Sequence, residues 1–218
     1  MINIAIDGPA GAGKSSVAKA VAKELGFIYV DTGALYRAVG VNALKNNIKT
    51  DDKEAVIAML PDTKVELRYI NGVQRVILND EDVSETIRMP EASMAASNVS
   101  AIPEVRAFLL DLQHDMAEKN NVIMDGRDIG TVILPDAQYK FFLTATAKVR
   151  ADRRFKELKE KGIDVDYNAL LEEIIQRDYN DSHRATAPLK QADDAIFVDS
   201  SNMNLEESIN HILSFIKV

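Results

Sequence analysis

Short apolar runs alternate with longer stretches of helical period along this chain, the pattern of βαβ units around a parallel sheet. Ile2–Asp7, Phe27–Asp31, Val122–Asp125, Lys140–Thr144 and Ala195–Asp199 read as strands. Helical periodicity is clearest in two places. Val105, Phe108, Leu109, Leu112 and Met116 follow Pro103, a favourable first helical residue. Leu205, Ile209, Ile212, Leu213 and Ile216 follow Asn204, with Glu207 spaced for a capping box. Lys64–Ile70 and Gln74–Asn79 break the alternation: both are β-rich and flank Asn71-Gly72, a strong hairpin signal. Roughly Asp62–Ser97 is therefore predicted to be a small antiparallel insertion in an α/β core. A second interruption, Arg150–Asp166, is charged and helical, with Gly162 near its end. Neither is composed like a linker, and no repeat or low-complexity tract occurs.

The 218 residues suit one domain with insertions or two small ones, and 46% hydrophobic with 28% charged residues is ordinary globular composition. The chain has no cysteine, which excludes disulfides, thiolate metal sites and cysteine nucleophiles. Met1-Ile2-Asn3-Ile4-Ala5-Ile6-Asp7 reads as a buried strand rather than a signal peptide, and no run reaches membrane-spanning length. A cytoplasmic protein without a membrane partner is expected. A net charge of -8 argues against a general polyanion binder, so no nucleic-acid partner is expected either. The arginines nevertheless gather at Arg150, Arg153, Arg154, Arg177 and Arg184, with Arg106 and Arg127 elsewhere. Local arginine clusters on an acidic chain suggest small phosphorylated ligands; solvated helix faces are the alternative for any one of them.

Gly8-Pro9-Ala10-Gly11-Ala12-Gly13-Lys14-Ser15 matches the phosphate-loop pattern G-x-x-x-x-G-K-[ST] in full. A strand ends at Asp7 and Ser16–Leu25 reads as a helix, the required context. Glycines let the backbone wrap an anion with inward N–H groups, and the helix start adds its dipole. Residues Gly8 to Ser16 are thus expected to bind ATP, with Lys14 bridging the β- and γ-phosphates and the Ser15 hydroxyl on Mg²⁺. Asp125, at the end of Val122-Ile123-Met124, is the candidate carboxylate for the same ion, or simply an aspartate that closes a strand. The N-K-x-D guanine motif is absent, which counts against a GTPase.

Three further segments are informative: Asp31-Thr32-Gly33-Ala34-Leu35-Tyr36-Arg37, Asp125-Gly126-Arg127-Asp128-Ile129-Gly130-Thr131, and Arg177-Asp178-Tyr179-Asn180-Asp181-Ser182-His183-Arg184 followed by Ala187-Pro188-Leu189. With the phosphate loop, these make the chain resemble bacterial cytidylate kinases of the nucleoside monophosphate kinase family, nearly end to end. Ser16 stands where many relatives have threonine, and Thr32 where some have serine; both keep a hydroxyl. The resemblance implies an α/β P-loop kinase fold with a central parallel sheet of about five strands flanked by helices. It divides a single domain into a core (1–61, 98–149, 167–218), an acceptor-binding insertion (62–97) and a helical lid (150–166). It implies transfer of the γ-phosphate of ATP to CMP or dCMP, with ATP and Mg²⁺ as cofactors, by a monomer whose partners are small nucleotides.

Carried over by position, Arg37 and Arg127 would grip the acceptor phosphate, and Ser97, Arg106 and Asp128 would read the cytosine edge. Arg177, Asp181 and Arg184 would contact the acceptor's ribose or phosphates, with Thr32 nearby. The catalytic charges would be Lys14, Arg127, Arg150, Arg154 and Arg177. The spacing agrees with this. Arg177, Asp181 and Arg184 fall at i, i+4 and i+7, and Arg150, Arg153 and Arg154 at i, i+3 and i+4, each set on one helix face. Phosphoryl transfer needs positive charge around the migrating group, so converging arginines are the expected equipment. Salt-bridged exposed faces are the alternative for both triplets. A sister kinase for another monophosphate or a small metabolite, and a slowly hydrolysing nucleotide switch, are the competing functions. His114 and His211 are expected at the surface, His183 has no partner spacing for a metal, and Tyr36 and Tyr179 are expected in packing.

Overall fold

The computed structural model describes residues 1–70 and 73–217, apart from the side chain of Pro90. In chain order the elements are β1 (Asn3–Asp7), α1 (Lys14–Leu25), β2 (Ile28–Asp31), α2 (Thr32–Lys45), α3 (Lys53–Met59), β3 (Val65–Ile70), β4 (Val73–Leu78) and β5 (Glu81–Asp82). There follow α4 (Pro90–Ser100), α5 (Pro103–Lys119), β6 (Val122–Gly126), β7 (Tyr139–Thr144), α6 (Ala147–Glu160), α7 (Tyr167–His183), β8 (Ile196–Asp199) and α8 (Leu205–Leu213). They form two compact units, one of Met1–Tyr29 with Asn120–Val218 and one of Val30–Lys119.

The main sheet has the order β2-β6-β1-β7-β8. β1 is parallel to both neighbours, with Asp7 opposite Gly126 on β6 and Phe142 on β7. β8 is parallel to β7, with Thr144 opposite Asp199. In-register carboxyl ends bring the loops after β1, β6, β7 and β8 out along one edge, where open α/β sheets bind ligands. Beneath them the first unit buries Ile4, Ile6, Ile123, Phe141, Leu143 and Val198 against Val17 and Val21 of α1 and Ile212 of α8. Phe141 is among the largest fully buried side chains, and burial of such a ring stabilises the fold by about 1.5–3 kcal/mol.

The second unit packs the antiparallel sheet β3-β4-β5 with α2, α3, α4 and α5 around Leu35, Val39, Val56, Val76, Leu78, Val99 and Leu109. Gly40 sits where α2 meets α4, and a Cβ there would lie 2.7 Å from that of Ala95. The unit is larger than the Asp62–Ser97 segment, because α2 and α5 share its core. Within that segment the antiparallel pairing ends at β5, and α4 begins at Pro90. The Asn71-Gly72 turn lies outside the described residues, although β3 and β4 pair on either side of it, Ile70 with Val73.

Several boundaries differ from the expectations. α1 begins at Lys14 rather than Ser16, because the left-handed Gly13, at φ 88°, ends the loop directly before it. α6 runs Ala147–Glu160, capped by the Thr146 side chain, and stops before Gly162 at φ 72°. α7 ends at His183, so Arg184 is not on its face: it is extended, at φ −63° and ψ 143°. The capping box of α8 is present, Asn204 accepting from Glu207 N at 2.9 Å and Glu207 accepting from Asn204 N at 2.7 Å. No helix among the described residues is long and apolar enough to cross a membrane.

Candidate active site

The loop between β1 and α1 is held by two cations outside it, Lys14 at the start of α1 and Arg150 of α6. Gly8 has φ 147°, and a Cβ there would lie 1.9 Å from the Leu143 carbonyl oxygen, so only glycine fits. The Lys14 ammonium donates to the Pro9 carbonyl at 2.8 Å and is buried. Burial and the nearby Arg127 lower its pKa to about 7, against the attraction of Asp125 and Asp7. A phosphate brought to this buried cation would restore its full charge.

The Ser15 hydroxyl donates to Asp125 Oδ2 at 2.8 Å, and the Tyr29 hydroxyl donates to Asp125 Oδ1 at 2.7 Å. Ser15 and Asp125, from the start of α1 and the end of β6, thus stand together although 110 positions apart in the chain. A hydroxyl and a carboxylate side by side form the hard oxygen set that suits Mg²⁺, which keeps most of its remaining ligands as water and substrate phosphates. Among the described residues no group of three or more His, Cys, Asp or Glu could hold a metal.

Asp7, which its sequence context marks only as the end of a strand, does more. Its carboxylate accepts from Ile129 N at 2.8 Å and Gly130 N at 2.7 Å, holding the π-type turn Ile129–Ile133 against the end of β1. Burial raises its pKa to about 6, although the Gly130 and Ile129 N–H groups favour the charge. Arg127 and Asp128 lie between this clamp and β6.

Two arginine–carboxylate pairs bind that segment to the end of α7. Arg127 Nε donates to Asp181 Oδ2 at 2.8 Å. Arg184 Nη2 lies 3.5 Å from Asp128 Oδ1, and Arg184 Nε donates to the Ala187 carbonyl at 2.7 Å. Burial works against the charge of Asp181, but Arg127, Arg177 and Arg184 outweigh it and hold the carboxyl below its usual pKa. Arg127, Arg177, Arg184, Asp128 and Asp181 therefore make one charged cluster, in which Asp181 pairs with Arg127 from another segment.

The three arginines of α6 do not converge. Arg150 is buried against Ala10 and Asp178, Arg153 donates to the Ser200 carbonyl at 2.7 Å, and exposed Arg154 pairs with Glu157 at 2.9 Å. Spacings of i, i+3 and i+4 place side chains on one face, but each then meets a different partner.

A cavity of about 230 Å³ opens beside the phosphate loop. Ala12, Gly13, Ser16 and Val17 form one wall, and Arg153, Ser200, Met203 and Leu205 another. Ser200 and Met203 belong to no motif legible in the sequence; the parallel register of β8 brings them here.

In the second unit, Asp31 caps α2 by accepting from Ala34 N at 2.9 Å, and accepts from Arg37 Nη2 at 2.9 Å. Thr32 is buried beside it. Arg106, on the first turn of α5, is also buried, with its guanidinium 5.6 Å from the Tyr36 ring centroid and a long contact of 3.4 Å to the Ser100 carbonyl. The half-buried Ser97 precedes Ser100 by one helical turn on α4. Tyr36 therefore supports Arg106 as well as packing in the core. Tyr179 instead stacks on His183 at the surface of α7, with ring centroids 4.0 Å apart.

The profile of the cytidylate kinase family matches residues 4–218. The cytidylate kinase of Caldicellulosiruptor saccharolyticus is 56% identical over 218 residues, 100% of this chain and 96% of the relative. That of Clostridium botulinum is 50% identical over 216 residues, 99% and 98% of the two chains. Among solved structures, an uncharacterized protein from Eubacterium ventriosum aligns with a TM-score of 0.55 at 13% identity, covering 99% of this chain and 98% of that one. A gluconokinase from Sinorhizobium meliloti aligns at 0.50 and 15%, covering 98% and 90%. At such identities these two structures share the fold alone. Phosphate loop, Ser15–Asp125 pair and full-length relatives agree: the chain belongs to the cytidylate kinase family.

Proposed function

We propose that this enzyme transfers the γ-phosphate of ATP to CMP or dCMP, giving ADP and CDP or dCDP. The observation that carries the reading is the grouping, at one sheet edge, of the phosphate loop with the crossed pairs Arg127–Asp181 and Arg184–Asp128. The loop supplies N–H groups and Lys14 to the donor phosphates, and the cavity beside Arg153 accommodates the rest of the donor nucleotide. Ser15 and Asp125 would hold Mg²⁺, which supplies charge neutralisation on the donor phosphates. Arg127 and Arg177 place positive charge where the phosphoryl group moves, and no covalent step on the protein is needed. Segments 62–97 and 150–166 are each proposed to become protected from hydrogen exchange when nucleotides bind.

Coupled ADP release measured with CMP, dCMP, UMP and AMP tests the reading. Strong dependence on the cytidine nucleotides is expected. A slow rate independent of acceptor would replace the kinase with a nucleotide switch, and preference for AMP or UMP would move the acceptor.

Asp181 has a sharper test. We propose that Arg177 and Asp181 meet the acceptor's sugar hydroxyls, with Arg127 holding the carboxylate in place. Asp181→Ala is expected to reduce kcat/KM for CMP and dCMP by unequal factors, because only CMP offers the 2′-hydroxyl. Equal losses in a folded variant would leave Asp181 as the anchor of Arg127 alone.

A further inference from the structure

Arg150 spends most of its guanidinium on the protein itself. Nε donates to the Ala145 carbonyl at 2.9 Å, Nη1 to the Ala10 carbonyl at 2.9 Å and to Asp178 Oδ1 at 2.9 Å, and Nη2 to Asp178 Oδ2. A guanidinium has five N–H groups, and these bonds leave it little to offer a substrate. Its side chain is 4% exposed. It joins three segments: the start of α6, the phosphate loop and α7.

The contact that matters for chemistry is the one to Ala10. A trans peptide is planar, so its C=O and N–H point in opposite directions. Holding the Ala10 oxygen towards α6 turns the Gly11 N–H away from α6. The neighbouring peptide is set in the same manner, by Lys14 on the Pro9 carbonyl. The Ala10–Gly11 peptide is also easy to flip, because glycine tolerates φ of either sign and Gly11 lies at 74°. A flip would exchange an N–H donor for a carbonyl oxygen, presenting negative dipole to a phosphate that the loop should attract.

We propose that Asp178 and Arg150 are positioning residues for the donor's phosphates: Asp178 holds the guanidinium, the guanidinium holds the Ala10 carbonyl, and the Gly11 N–H is thereby kept as an anion donor. Arg150 then acts on the loop and not on the transferring phosphoryl group. Asp178 neighbours Arg177 and lies about one turn before Asp181, so the same link ties the helix of the acceptor cluster to the donor loop. The proposal rests on the loop Gly8–Ser15 binding the donor phosphates.

The test is calorimetric binding of ADP and, separately, of CMP to wild type, Asp178→Ala, Asp178→Asn, Arg150→Met and the Asp178→Ala/Arg150→Met double variant. Loss of the link is expected to weaken ADP by about tenfold, or 1.4 kcal/mol, and to change CMP by less than about threefold. The double variant should be no weaker for ADP than the worse single one, since the two residues act as one unit. Asp178→Asn, which keeps shape and one acceptor, should fall between wild type and Asp178→Ala, and it serves as the readout if Asp178→Ala does not fold. ADP affinity within twofold of wild type in the folded variants would overturn the proposal, as would equal weakening of ADP and CMP, which would mean general loosening of α7. Lys14→Met separates this failure from that of the loop itself: if it too binds and transfers normally, the loop is misassigned, whereas if it alone is impaired, only the link is wrong.

Discussion

Lys14→Met is expected to reduce turnover by about 10²–10³-fold while the protein stays folded. Lys14 is buried at the junction of loop and helix, where its ammonium meets the Pro9 carbonyl and no apolar core depends on it. Losing one preorganised charge at the site of a phosphoryl transition state costs about 3–4 kcal/mol of barrier. Stability should hold, because burial and Arg127 already disfavour the charged lysine and methionine fills a similar volume. Steady-state kinetics beside thermal unfolding separates the two effects. Turnover near wild type in the folded variant would remove the loop from the mechanism; a collapsed unfolding transition would make Lys14 a structural residue.

Asp128→Ala is expected to lower the CMP:UMP ratio of kcat/KM by at least about tenfold, roughly 1.4 kcal/mol. The two bases differ at one edge, where cytosine carries an amino donor and an acceptor ring nitrogen, and uracil a carbonyl and an N–H. A carboxylate accepts from the cytosine amino group but meets the uracil carbonyl with like polarity. A site built on such bonds discriminates strongly because the wrong base leaves buried polar groups unpaired.

In the structure Asp128 is the carboxylate beside Arg184. Arg184→Ala therefore belongs in the same experiment. If Asp128 reads the base, its loss shifts the ratio and that of Arg184 lowers both substrates together. If both variants lower CMP and UMP in parallel, Asp128 only holds Arg184 and cytosine is read elsewhere.

Features written within a few neighbouring residues are legible in the chain of letters alone. The phosphate loop needs only Gly8 to Ser15 in order, and its strand and helix flank it. The α8 capping box needs only Asn204 and Glu207, and the hairpin strands follow from their composition on either side of Asn71-Gly72. These are local because backbone conformation and i to i+4 contacts are set by adjacent residues.

The pairings within the site are of another kind. Ser15 with Asp125, Arg127 with Asp181, Arg150 with Asp178 and Asp7 with Gly130 join positions 110, 54, 28 and 123 residues apart. Periodicity predicts which face of a helix Arg150, Arg153 and Arg154 share, yet it cannot say that the face divides among Ala10, Ser200 and Glu157. Nor can it place Arg184 beyond the end of α7, beside Asp128, where spacing alone keeps it on the helix. Local sequence specifies the elements and the chemical groups available. Which arginine meets which carboxylate depends on the folded sheet, because a charge buried at its edge must take the partner that strand order and register bring within reach.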